Sequence, residues 1–137
     1  MKILLSVLGR KGGEGELAKI ITDENKVNYP KQLEVLMKEE EPLLCFKEDE
    51  QNWILLSNER ILIKQSEQEA VIPYSELIEV NLALEEEFAD NVMDMRDFTR
   101  LVHKDRNGSK SIIKLEKGEP YQGVYQVLHF LAQKNKF

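Results

Sequence analysis

The sequence predicts a mainly β chain with helices: a seven-stranded antiparallel barrel or roll, capped by a C-terminal helix and preceded by one or two extra N-terminal helices. Three observations carry this. From Pro42 onward, apolar residues fall into seven short runs, most of them alternating with period two. After Pro120 the period lengthens to 3.6. The chain has 137 residues, 42% hydrophobic and 32% charged, which suffices for one buried core and not for two.

The start of the chain reads as residues 1–41, a helical extension, joined to a strand-rich domain at 42–137. Met1-Lys2-Ile3-Leu4-Leu5 opens an apolar run that is short, has one lysine ahead of it and is followed by Arg10-Lys11. That fits a secretory signal poorly and a buried amphipathic start better. No apolar stretch approaches the ~18 residues a membrane span needs, so the expected compartment is the cytoplasm. Four glycines between Gly9 and Gly15 form a flexible joint whose order is not that of a phosphate-binding loop. Leu17, Ile20 and Ile21 then have helical spacing. A clearer helix begins at Pro30, with Leu33, Leu36 and Met37 on one face, a solvated Glu39-Glu40-Glu41 and a stop at Pro42.

The strands follow in order. Leu43 to Phe46 is the first, ended by the loop Lys47 to Asn52. Trp53 to Leu56 and Arg60 to Lys64 are joined by a turn at Ser57-Asn58-Glu59. Val71-Ile72 is a short fourth, closed by Pro73. In the fifth, Ile78, Val80, Leu82 and Leu84 share one face, and Glu79, Asn81 and Glu85 the other. Phe98 to His103 and Ser111 to Leu115 are linked through Asn107-Gly108, a strong hairpin signal. The helix from Glu119 to Lys134 repeats Tyr121, Val124, Tyr125, Leu128, Leu131 and Ala132 and spans roughly 24 Å. Burying Val124, Leu128 and Leu131 would contribute on the order of 5–9 kcal/mol before entropy, making this helix part of the core.

Composition excludes several functions. Nineteen Lys and Arg against 25 Asp and Glu give a net charge of −6, which argues against nucleic acid as partner. The single cysteine, Cys45, sits between Leu44 and Phe46, where a thiol is an inert small hydrophobe. With two histidines, His103 and His129, neither a zinc site nor a Cys–His dyad is expected. Glu85-Glu86-Glu87, Asp90 and Asp94 lack EF-hand spacing and read as a solvated loop. No catalytic residue, cofactor or metal ligand is expected.

Trp53-Ile54-Leu55-Leu56-Ser57-Asn58-Glu59-Arg60-Ile61-Leu62-Ile63 is similar to the strand-turn-strand signature of the bacterial PH-like domain family, in which a Ser or Thr ends one strand and an Arg begins the next. Ile72-Pro73-Tyr74-Ser75-Glu76-Leu77-Ile78-Glu79-Val80 resembles the segment that follows. GRAM-type domains share the first motif. The resemblance covers about Pro42 to Lys134 and implies the pleckstrin-homology superfold, a seven-stranded antiparallel barrel with a C-terminal helix. Many PH domains bind phosphoinositides through basic residues at the first hairpin. Here that loop holds three acids and one lysine, so no phosphoinositide binding is expected.

Within the hairpin motif, Ser57 and Asn58 are expected to bond their own backbone, and Arg60 to pair with Glu59 or Glu69. Tyr74 is expected to pack where Pro73 turns the chain between sheets. The sequence thus predicts a non-catalytic module that binds a protein partner or itself. Its named site is the Glu85–Met95 loop, where Phe88, Val92, Met93 and Met95 are apolar in an acidic stretch. The same side chains folded back on their own core are the competing reading. The alternative function is an acidic immunity protein neutralising a basic toxin or nuclease, drawn from the net charge.

Overall fold

The structure, a computed structural model, describes residues 14–65 and 68–135. The apolar start and most of the glycine joint lie outside them. Among the described residues, eight strands form two antiparallel sheets. The first sheet holds β1 (Ala18–Ile20), β2 (Pro42–Asp49), β3 (Asn52–Ser57), β4 (Arg60–Gln65) and β5 (Gln68–Pro73) in sequence order. The second holds β6 (Leu77–Leu82), β7 (Arg100–Asp105) and β8 (Lys110–Lys114). Short helices α1 (Pro30–Leu33) and α2 (Leu84–Ala89) lie in the connections, and α3 (Glu119–Lys134) ends the described chain.

The seven expected strands are present, and α3 has the expected bounds. Four expectations need correction. Leu17 to Ile21 is not helical: Ala18–Ile20 pairs with Leu44–Phe46 as β1. The three apolar positions do not share one face: Leu17 is exposed and Ile20 and Ile21 pack on opposite sides of the sheet, while the Glu116 carboxylate holds the extended start by accepting the backbone N–H groups of Glu16, Leu17 and Ala18 at 2.8–2.9 Å. A side chain on residue 15 would meet that carboxylate at 2.6 Å and would require it to shift from the amides it holds. The second helix ends at Leu33 rather than near Pro42, because Glu40 is drawn inward and folds the chain back through its bond from the Met37 N–H.

The fifth strand stops at Leu82, and Leu84 begins α2 with its side chain exposed. A bulge between Leu77 and Glu79 puts Leu77 inside in place of Ile78. Finally, the sheets do not close into a barrel. Side chains stand where a further ladder would run. Gln65 Nε2 donates to the Lys114 carbonyl at 2.7 Å, and its Oε1 accepts the Lys114 N–H at 3.0 Å.

The main core lies between the sheets and under α3, built from Leu44, Phe46, Ile54, Leu56, Ile61, Leu77, Val80, Leu101 and Ile113 with Tyr121, Val124, Val127 and Leu128. Tyr121 Oη donates to the Arg100 carbonyl, and Asn135 Nδ2 to those of Tyr74 and Leu77, fixing both ends of the helix. A second cluster covers the outer face of the first sheet. Tyr29, Ile21, Leu33 and Leu36 pack there on Cys45, Trp53, Leu55 and Leu62. The residues before Pro42 therefore contribute a strand and an apolar cover to the sheet.

Candidate interaction surfaces and their buried supports

The hairpin motif is anchored from outside the hairpin. Ser57 Oγ accepts the N–H groups of Glu59 and Arg60 at 3.1 Å, the expected turn bonds. Asn58 instead reaches Glu41, accepting its N–H at 2.9 Å through Oδ1. Arg60 pairs with neither Glu59 nor Glu69. Its Nε and NH2 grip both oxygens of Glu40 at 2.8 and 2.9 Å, and NH2 also donates to the Val35 carbonyl. Glu69 lies 3.8 Å from Lys64. Glu40, expected in solvent, is 7% exposed. Burial pushes its carboxyl up, but bonds from Arg60, Ser57 and Met37 outweigh this and hold it below the usual carboxylate range. Tyr74 is buried as expected, with its hydroxyl donating to the Ser57 carbonyl at 2.6 Å.

The Glu85–Met95 segment is also built on a buried carboxylate. Glu87, on α2, is fully buried, and its Oε1 accepts from Thr99 N–H, Arg100 N–H and Arg100 Nε at 2.8–3.1 Å. Arg100 NH1 reaches Asp90 at 2.7 Å. This corrects the expectation of a solvated acidic loop. Asp94 accepts from the Arg96 backbone and guanidinium, which hold its carboxyl at about 2. On that frame Phe88 stacks edge-on to Phe98 with ring centroids 6.3 Å apart, while remaining 45% exposed. Met93 and Met95 are 66% and 48% exposed. Val92 packs against the core. The loop thus divides between the two sequence readings: Val92 folds back, and the other three face outward.

The remaining candidates show no assembled chemistry. Burial pushes the Cys45 thiol up to about 12, which leaves it unreactive as a nucleophile near neutrality. His129 Nδ1 lies 3.3 Å from the Val80 carbonyl. Among the described residues, no three His, Cys, Asp or Glu side chains come together as metal ligands. In the first hairpin loop, Lys47 Nζ contacts Glu50 at 2.5 Å and the Asn28 carbonyl at 3.4 Å, so its charge is already engaged. No helix among the described residues is long and apolar enough to cross a membrane.

One surface escaped the sequence reading. From Arg100 to Lys117 the chain carries six Lys and Arg and two Asp and Glu, the reverse of its overall balance. This stretch forms the β7–β8 hairpin, and Gly108 (φ +85°) turns it over Asp105, whose Oδ1 accepts from Asn107 and Ser109. Net charge had masked the local excess. Next to the hairpin, a cleft of about 340 Å³ opens between the sheets, lined by Ile63, Gln68, Ala70, His103 and Ser111. His103 is 5% exposed, and neither ring nitrogen has a hydrogen-bond partner among the described residues.

Compared with protein-family models, curated proteins and solved structures, the chain finds no match in any of the three.

Proposed function

We propose that the chain is a non-catalytic protein-interaction module of PH-like architecture, working in the cytoplasm. The observation that carries the interaction reading is the outward apolar set Phe88, Met93 and Met95, on a segment that the buried Glu87 fastens to Thr99 and Arg100. An anchor on a preorganised loop loses little entropy on binding. The PH-like part draws support from the element order: seven strands after Pro42 in two antiparallel sheets, then a helix packed beneath them. Neutralisation of a basic toxin draws less from the structure, since the charge is divided between an acidic body and a basic hairpin. Replacing Phe88 and Met93 by serine tests the reading. Sedimentation velocity on the purified chain, and recovery of bound protein from its native cell, should both show lost association with an unchanged melt. A lower melting temperature with association intact would mean that these side chains serve the fold.

A further inference from the structure

The basic hairpin and the cleft beside it converge on one edge strand. We infer that β8 receives an acidic, extended peptide segment of a partner protein, added as a further strand along its free edge.

The backbone supports this first. β8 pairs only with β7 among the described residues, so alternate peptide groups face away from the ladder. Lys114 shows which ones: its N–H and C=O both bond the Gln65 side-chain amide, which mimics a neighbouring peptide unit. By the two-residue period of a strand, Lys110 and Ile112 point the same way, into the cleft. Gln65 caps one end of the edge, and among the described residues no other strand pairs with the remainder.

Side chains define the occupant. Lys110 and Lys114 flank the exposed Ile112 on the outer face, and Lys104 lies in register with Lys110. On the inner face, His103 and Ser111 form a cross-strand pair, and the buried imidazole offers a donor and an acceptor to whatever enters. Among the described residues Glu69 is the one carboxylate on the cleft lining, with Lys64 3.8 Å away, while on the outer face Glu48 lies 3.8 Å from Lys114 and Glu79 is in register with Lys104. On an incoming strand, carboxylates at alternate positions would all meet the lysines on the outer face, and the positions between them would face His103 and Ser111. A second copy of β8 is the wrong partner. Antiparallel self-pairing centred on Ile112 would set Lys110 against Lys114 twice, and like charges directly opposite are destabilising.

The surface is separate from the Phe88 loop, so the two readings fail independently. The probe is a fluorescein-labelled pentapeptide of alternating glutamate and valine, followed by anisotropy with the full chain. Saturable binding is expected, weakened at least tenfold by Lys110→Glu with Lys114→Glu and by 0.5 M salt. N-methylation of alternate peptide amides should also cost at least tenfold, because it removes the ladder while keeping every charge. Equal binding of the N-methylated peptide would reduce the site to nonspecific charge and overturn the proposal. So would lysine-dependent cosedimentation with phosphatidylserine vesicles in the absence of peptide binding.

Discussion

Glu40 and Glu87 are counterparts on the two sheets. Each is the buried member of a run of three glutamates, and each grips the arginine that opens a strand, Arg60 for β4 and Arg100 for β7. Each ties a connecting segment to the start of a strand: Glu87 to β7, the next strand in sequence, and Glu40 to β4, two strands beyond the β2 that follows it.

Removing one partner from such a pair strands the other. Glu40→Ala leaves Arg60, whose side chain is 17% exposed, without its carboxylate, and should cost about 3–5 kcal/mol in urea unfolding. Replacing Glu40 and Arg60 together by methionine should cost less than the single change, because no uncompensated charge is left buried. A double variant less stable than Glu40→Ala would show that Arg60 retains other stabilising contacts.

Leu128 is fully exposed to the core and not to water. An aspartate there puts an unpaired carboxylate among apolar strands, and several kcal/mol is comparable with the 5–15 kcal/mol stability of a whole domain. Leu128→Asp should abolish the cooperative melt or lower it by about 10 °C or more. Phe130→Asp, at a position 37% exposed on the same helix, should change it by only a few degrees. Similar small shifts in both would mean that α3 is peripheral.

These elements differ in how well the sequence announces them. Strands of β3 and β4, with their turn, were legible because apolar runs and turn residues are local signals, and α3 because a 3.6 period over sixteen residues has no competing reading. β1 was not, since its extended start is held by Glu116, about a hundred residues away. The buried glutamates were hidden by their neighbours. In Glu39-Glu40-Glu41 all three look alike, and only the position of Arg60 in space singles out the middle one. The outward residues Phe88, Met93 and Met95 were found by composition, while separating them from Val92 required the fold.

Acid should act on stability in two stages. Burial lowers the His103 pKa, with Asp105 opposing it and Glu79, Lys104 and Lys110 around the neighbouring cavity. Above about 6.5 the imidazole is neutral in both folded and unfolded chains, and stability is complete. As pH falls below that value the unfolded chain binds the proton first, so stability declines toward the lower folded value. Glu40, whose folded pKa is also lowered, keeps its contribution above about 4.5 and loses it as pH falls through the folded value. Melting temperatures from pH 7.5 to 3 should therefore fall in two steps, and His103→Leu should remove the first. An unchanged decline between pH 6.5 and 5 in that variant would assign the step to another group.

The Glu116 carboxylate gathers three amides from the start of β1, across separations of 98 to 100 residues. During synthesis the chain emerges in order, so β1 leaves the ribosome long before the group that secures it. Until then it is held by its ladder to β2 and by local bonds with Glu14 and Asn25, and closing so long a loop is entropically costly. The first of the described strands is thus among the last to be locked, and a nascent chain halted before residue 116 would carry an unsecured β1 beside the edge of β2.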